Sequence, residues 1–281
     1  MSRYLSDVAV TEFDSLVKQA FQGGGKLRPT VTLRNGVKGD TYKFNLMGKG
    51  AATQRPGPSS DITPMDVTHA FKTATLTNWD ASEYTDIWDQ AEVLFDEKQQ
   101  LAQAIAMALG RREDQLVINA LDAATGLAGT VGNDVGGTNS NLNIEKVIRA
   151  ARYLNEQGVP GVDRHIAVSA YGLEGMLGET QATSSDYNTV KSLVQGSIDS
   201  FVGFKWHIIE ERSEGGLPLS STDRKLFAWH KSAIGLAVGI DMSTRVDWVP
   251  QKKSWLSSGT YKAGSVDIDP LGIVEIATVE A

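Results

Sequence analysis

A lysine between two glycines is the first feature of this sequence that suggests chemistry. Gly48, Lys49 and Gly50 follow a strand-like stretch, as a phosphate-binding loop does. The phosphate-binding motif has a glycine directly before the lysine, another glycine five residues earlier, and a Ser or Thr directly after the lysine. Its amides and hydroxyl hold phosphate and magnesium. Around Lys49, Lys43 stands where the earlier glycine is needed and Gly50 where the Ser or Thr is needed. The sequence around Lys26 lacks the same two residues. The alternative is a long exposed loop that contacts something large.

Ser169 lies where a nucleophile is placed in hydrolases, between a strand-like "HIAVSA" and a helix-like "YGLEGMLGE". A nucleophile elbow requires glycine two residues before and two residues after the serine. Ala167 and Tyr171 stand there instead. Ser169 is therefore predicted to cap the following helix.

Metal-binding patterns are similarly incomplete. The chain has four histidines, none three or four residues from another: His69, His165, His207 and His230. We expect His165 and His207 to be structural residues in strands. Asp267 and Asp269 share one face of a strand and are predicted to be solvated carboxylates of a sheet edge. Nothing in the sequence predicts a catalytic, cofactor or metal site.

Composition narrows the function classes. The chain has 281 residues, a formal net charge of −7 and no cysteine. Disulfides and thiol chemistry are excluded. An acidic chain is a poor candidate for wrapping nucleic acid, because phosphate binding relies on Lys and Arg. The longest weakly apolar run, "SAIGLAVGI", is much shorter than the roughly 20 residues of a membrane span, and the N-terminus does not have the pattern of a signal peptide.

The first half of the chain is predicted to consist of elements that project. Residues 4–22 fit a short amphipathic helix. "TVTL" and "TYKFNL" alternate as strands, with Asn35-Gly36 as a hairpin signal between them. A loop of about 19 residues follows, a length that is usually functional. Residues 87–124 carry a long helical stripe of leucines and isoleucines, in which Arg111 to Asp114 are interpreted as a solvated stretch with local ion pairs.

The second half is predicted to be α/β and then β-rich. Asn143 is expected to cap a helix that ends at Gly158. Strands follow at "RHIAVSA", "FVGFKWHII" and "KLFAW", and the tail contains "TRVDWV", "SVDID" and "IVEIATV". A terminal arm, a long β excursion and an overlong helix expose groups that a monomer covers poorly. The presence of these projecting elements is explained if neighbouring copies of the chain cover their exposed groups.

In order and spacing, these parts resemble the major capsid proteins of tailed bacteriophages. Four stretches carry the resemblance: "FDSLVKQAFQGGGKLRPTVTLRNGVKGDTYKFNLMGKGAA", "RREDQLVINAL", "SSDYNTVKSLVQGSIDSFVGFKWHI" and "KLFAWHKSAIGLAVGIDM". The resemblance implies an α+β fold of the Hong Kong 97 type. That phage major-capsid fold has an N-terminal arm, an extended β-hairpin loop, a long spine helix in a peripheral domain and an α/β axial domain.

The same resemblance implies a division of the chain. The arm corresponds to residues 1–27, the extended loop to 28–80, the peripheral domain with its spine helix to 81–142 and the axial domain to 143–240. Residues 241–281 are expected to return to the peripheral domain, with the alternative that some of them finish in the axial domain.

The implied function is structural. Copies of the chain form pentamers and hexamers of an icosahedral shell, which encloses phage double-stranded DNA without binding it specifically. Subunit contacts are expected at the arm and the loop tip, through Phe13, Val17, Phe21, Met47, Gly48, Lys49, Gly50 and Arg55.

The chain begins with Met and reaches the arm at once, so a separate scaffolding protein is expected. A portal and a possible cement protein are the other implied partners. The expected location is the virion capsid, assembled in the bacterial host cytoplasm. Some relatives are covalently cross-linked through a Lys and an Asn. No motif in this sequence could be matched to that cross-link, so none is assigned.

Two alternatives remain at this level. An encapsulin-like nanocompartment shell has the same fold and encloses an enzyme. An α/β hydrolase-like enzyme using Ser169 belongs to a different class, and lacks the glycines that its elbow needs.

Overall fold

A computed structural model describes residues 23–55, 57–87, 97–178 and 200–280. The predicted N-terminal helix, with Phe13, Val17 and Phe21, lies outside the described residues. So do residues 88–96 of the predicted long helix. In the described helices, no segment is both long and apolar enough to cross a bilayer.

Four strands form the first part of the described chain: β1 (Thr32–Asn35), β2 (Thr41–Met47), β3 (His69–Thr75) and β4 (Thr77–Asp86). β2 and β3 pair antiparallel, from Thr41 opposite Thr75 to Met47 opposite His69. They form the hairpin that carries the long loop at its tip.

The predicted hairpin at Asn35-Gly36 is wrong. β1 does not pair with β2; it pairs in parallel with a strand near residue 235, with Thr32 opposite Gly235. Gly36 and Gly39 have positive φ angles of 70° and 101°, and they turn the chain between two different sheets. The dipeptide correctly indicated a turn, but a turn signal does not identify the partner strand.

Three α-helices are described: α1 (Glu97–Ala123), α2 (Ile144–Glu156) and α3 (Ala170–Gly178). α1 has 27 residues and is therefore about 40 Å long. The predicted caps of α2 are confirmed. The Asn143 side chain accepts a hydrogen bond from the Lys146 amide at 2.9 Å. Gly158 has φ +72°, the left-handed conformation that favours glycine after a helix.

The remaining strands are short in the middle of the chain and long near its end. They are β5 (Gly129–Val131), β6 (Arg164–Ser169), β7 (Ser200–Phe201), β8 (Phe204–Ile209), β9 (Leu219–Ser220), β10 (Asp223–His230), β11 (Ile234–Val249), β12 (Ser254–Asp267) and β13 (Ile273–Val279).

α1 packs against a four-stranded sheet with the order β1-β11-β12-β4. The contact depends on a glycine in β12. A Cβ at Gly259 would lie 2.4 Å from Ile105 and 2.9 Å from Leu109, the buried stripe of α1. The absence of a side chain at this position lets the long helix approach the sheet closely.

Within the described residues, the second sheet contains seven strands, with the order β5-β13-β10-β6-β8-β7 and β9 paired beside β10. Its centre is the main core, where Ile166, Phe204, Phe227 and Trp229 have no exposed surface. The tail of the chain divides between the sheets. β11 and β12 belong to the four-stranded sheet, while β13 pairs with β10 and β5 in the seven-stranded one.

Candidate subunit interface

The base of the β2–β3 hairpin is fixed to its own subunit. Phe44, Ala74 and Leu76 are buried against Ala237 and Ile268 in a small separate core. This packing holds one end of the hairpin in place, so the opposite end is presented in a defined direction.

The tip of the hairpin is exposed and carries apolar side chains. Met47 is 65% exposed, Phe71 58%, Met65 54% and Ile62 84%. The Gly48 amide donates to the Thr68 carbonyl at 2.8 Å, which closes the neck of the loop. Isolated exposed apolar residues are ordinary, but several at the end of one projection indicate a contact surface.

The glycines beside Lys49 serve close packing within this loop. A Cβ at Gly48 would lie 2.4 Å from the Thr68 hydroxyl, and one at Gly50 would lie 2.5 Å from the Met65 sulfur. The two glycines let the two sides of the loop lie close together. This is a physical reason for "GKG" that requires no phosphate.

The two cations of the loop are bonded only to backbone carbonyls among the described residues. Lys49 Nζ lies 3.4 Å from the Gln157 carbonyl, just after α2. Arg55 donates to the carbonyls of Ser60 and Pro58 at 3.1 and 3.0 Å. Both charges therefore remain available to a carboxylate on another molecule. The structure brings Met47, Gly48, Lys49, Gly50 and Arg55 into one loop, and their role at an interface stays a prediction.

The segment before the hairpin is tied to α1 by a buried carboxylate. Asp114 has no exposed surface and accepts from the amides of Lys26 and Leu27 at 2.8–3.0 Å. Arg212 donates to it at 2.7 Å. Burial raises the pKa of Asp114, against the opposing effect of these donors. One side chain thus joins α1, the segment entering β1 and the loop after β8.

Arg28 continues this link toward β11. Its guanidinium forms two hydrogen bonds with Asp241, at 2.8 and 3.0 Å, and lies 3.5 Å from Glu113. Glu113 is 2% exposed, and burial raises its pKa to about 7 although Arg28 lowers it. Glu113 Oε1 and the Tyr261 hydroxyl are buried without a hydrogen-bond partner at normal geometry. The Glu113 carboxyl is therefore expected to gain or lose its proton near neutral pH.

The interpretation of Arg111 to Asp114 as a solvated stretch is therefore wrong for its acidic members. The sequence contained a signal that was missed. Glu113 lies four residues from both Leu109 and Val117, two buried residues of the α1 stripe. A charged residue at that spacing faces the core.

Ser169 is a helix cap, as predicted. Its hydroxyl accepts from the Gly172 amide at 2.9 Å and donates to the Glu280 carboxylate. Arg224 binds the other oxygen of Glu280 at 2.8 Å, so this carboxylate is engaged in an ion pair. The adjoining cavity measures about 50 Å³, too small for an ester substrate. These contacts stabilise the end of the chain against α3.

His165 and His207 meet although 42 residues separate them. They lie on the adjacent parallel strands β6 and β8, and His165 Nδ1 is 3.0 Å from His207 Nε2. Burial lowers both pKa values, that of His165 to about 4. Sequence spacing could not reveal this pair. Within the described residues, no group of three or more His, Asp or Glu side chains is placed to hold a metal.

The predicted solvated carboxylates of the tail are instead bonded within the chain. Asp267 forms an ion pair with Lys72 of β3 at 2.9 Å. Asp269 accepts from the Leu271 amide at 3.1 Å and caps a short helical turn. Both residues therefore have structural roles.

Comparison with known proteins gives one family and one fold. The family model described as phage capsid protein matches residues 5–280. No curated protein matches the chain.

Solved phage capsids are similar in structure and distant in sequence. The capsid of cyanophage P-SCSP1u has 16% identity and a TM-score of 0.75, covering 98% of this chain and 94% of its own. The head of Helicobacter pylori bacteriophage KHP40 has 9% identity and a TM-score of 0.76, covering 95% of each chain. The capsid of Ralstonia phage GP4 has 9% identity and a TM-score of 0.74, covering 99% and 97%. The fold is the α+β shell fold of the Hong Kong 97 type.

Proposed function

Because the chain belongs to the phage capsid protein family and is a structural shell protein, we propose that its copies form pentamers and hexamers. These capsomers close into an icosahedral shell around phage double-stranded DNA. Closure makes each later contact effectively intramolecular, so individually weak contacts suffice for a stable shell.

The observation that supports this proposal best is the β2–β3 hairpin, which is fixed at its base and bears exposed apolar side chains at its tip. We assign residues 28–80 to the extended loop, which lies on an adjacent subunit in the shell. Residues 1–27 are the arm, 81–142 the peripheral domain and 143–240 the axial domain. Within the tail, residues 241–267 belong with the four-stranded sheet and β13 with the seven-stranded one.

The contacts combine apolar burial with charge. Met47 at the tip, and Phe13, Val17 and Phe21 of the arm, contribute about 25 cal/mol for each Å² that a neighbour covers. Lys49 and Arg55 pair with acidic surface on that neighbour, each exposed pair contributing about 0.2–1 kcal/mol. Gly48 and Gly50 allow the two sides of the loop to pack closely.

The remaining partners follow from shell building. The proposal includes a separate scaffolding protein during assembly in the host cytoplasm, a portal, and a cement protein as an optional addition. The net charge of −7 keeps the inner wall from holding DNA tightly.

The test is removal of the loop. Replacing residues 48–63 with a short Gly-Ser link should leave a folded, soluble subunit, because the base of the hairpin is retained. We expect the purified variant to build no closed shells by electron microscopy, while its thermal unfolding stays near that of the full chain. Normal particles from this variant would remove the loop from the proposal.

A further inference from the structure

Part of the outer edge of β11 is not covered by any strand in the described residues. β1 pairs with β11 only from Gly235 to Val238. On its other side β11 pairs with β12 as far as Val249, without a register shift from Ser243 onward. Residues 243–249 are therefore a regular strand with one open edge. Such an edge presents N–H and C=O groups that can pair with another strand.

Residues 243–249 of this edge have no proline, no lysine and no β-bulge, three of the devices that prevent pairing. Their sequence is "STRVDWV", and Val246 and Trp248 are 40% and 39% exposed. The opposite edge of the same sheet is different, because β4 carries Asp80, Glu83 and Asp86 and no basic residue. The three negative charges of β4 would repel a second copy of that strand. Residues 243–249 of β11 carry one positive and one negative charge, so they have no such row of like charges.

The open edge is complementary to itself. Arg245 and Asp247 lie on either side of Val246 and share one face of the strand. Among the described residues, neither forms an ion pair with its own chain. When two copies of this strand lie antiparallel with their centre at Val246, Arg245 faces the partner's Asp247. The two-fold symmetry forms that ion pair twice.

The hydrogen-bond pattern restricts the register. In an antiparallel pair, two directly opposite residues turn their backbone N–H and C=O groups either both toward the shared edge or both away from it, and this direction alternates along each strand. Two identical strands must therefore be centred on a residue. Centring on Arg245 would set arginine against arginine, and centring on Asp247 would set aspartate against aspartate. Like charges directly opposite destabilise a pair, so Val246 is the favoured centre.

We propose that β11 pairs with β11 of a second copy, antiparallel about a two-fold axis at Val246, and that this contact joins neighbouring capsomers. The inference rests on the proposed function, since the shell supplies the second copy. A two-fold contact uses the same surface on both subunits, as a self-complementary strand requires. The four-stranded sheets of two subunits then become one continuous sheet.

A single cysteine tests the register directly, because the chain contains none. In Val246→Cys shells the two cysteines would face each other with Cα atoms about 4.5–5.5 Å apart, within disulfide range. After mild oxidation we expect covalent dimers on a non-reducing gel. Ile240→Cys is the matched control. It lies on the same strand and is 53% exposed, but it precedes the regular stretch 243–249 and lies six positions from the two-fold centre, so its two copies should be too far apart to give a dimer.

Charge reversal gives a second test that does not depend on oxidation. Arg245→Asp and Asp247→Arg should each weaken the contact by roughly tenfold, because two unlike pairs become like pairs. The double variant restores both pairs and should restore shell yield. Shells without a Val246→Cys dimer, or a double variant no better than the single ones, would overturn the two-fold pairing. Failure of the wild-type chain to assemble into either capsomers or shells would instead overturn the proposed function.

Discussion

Glu113 shows at the residue scale how one buried side chain can set the stability of the subunit. It lies on α1, 3.5 Å from Arg28 just before β1, and burial raises its pKa to about 7. Its folded pKa is higher than its unfolded one, so the folded state binds more protons between the two values. The stability that this group contributes is fully present below about pH 4.5 and is lost as pH rises through about 7.

Glu113→Gln should therefore remove a large part of the pH dependence near neutrality. We expect the free energy of unfolding of the wild-type subunit to fall between pH 5 and pH 8, by at most roughly 3 kcal/mol from this group. In the variant the fall should be much smaller, because glutamine does not titrate. Urea unfolding of the disassembled subunit at both pH values measures this change.

Glu156→Gln is the control, because Glu156 is exposed on α2 and its side chain retains 55% of its accessible surface. This variant should keep the pH dependence of the wild type. If Glu113→Gln and Glu156→Gln show equal slopes, Glu113 does not titrate in this range.

At the element scale, the hairpin base depends on a glycine of β11. A Cβ at Gly235 would lie 2.7–2.9 Å from ring carbons of Phe44, which is 8% exposed. Phe44 fills the space that a side chain at Gly235 would take. The packing of β2 on the four-stranded sheet thus requires both residues together.

Gly235→Ala should destabilise the subunit by about 1–3 kcal/mol, the usual cost of overpacking a core. Phe44→Leu in the same chain should recover part of this loss, because the smaller side chain leaves room for the new methyl group. Thermal or urea unfolding of the single and double variants measures the coupling. Gly161→Ala, where no atom lies within 4 Å of the new Cβ, is the control and should change stability by less than about 0.5 kcal/mol. Equal effects at Gly235 and Gly161 would contradict this account of the packing.

Local elements were predictable from the sequence, and their long-range partners were not. The Asn143 cap and the turn at Gly158 depend on residues within one helical turn. The pairing of β1 with β11 joins residues about 200 positions apart, and the meeting of His165 with His207 requires two strands to be adjacent. Short-range patterns carry no information about such contacts. The burial of Glu113 could have been predicted, because its spacing places it on the apolar stripe of α1.

At the scale of the whole molecule, the chain combines two packed sheets with features that another copy would cover. The exposed hairpin tip and the open edge of β11 lie in different parts of the chain. We propose that the first makes contacts with an adjacent subunit and that the second makes contacts between capsomers. The family match and the shared fold agree with a subunit that assembles with copies of itself into a shell.

Electron microscopy of the purified wild-type chain, at rising concentration and with sedimentation in parallel, tests the central claim most directly. We predict capsomers at low concentration and closed shells at high concentration, with no uniform size required because the proposed scaffolding protein is absent. A chain that sediments only as a monomer of 30.3 kDa at every concentration, with no particles in the images, would contradict the account.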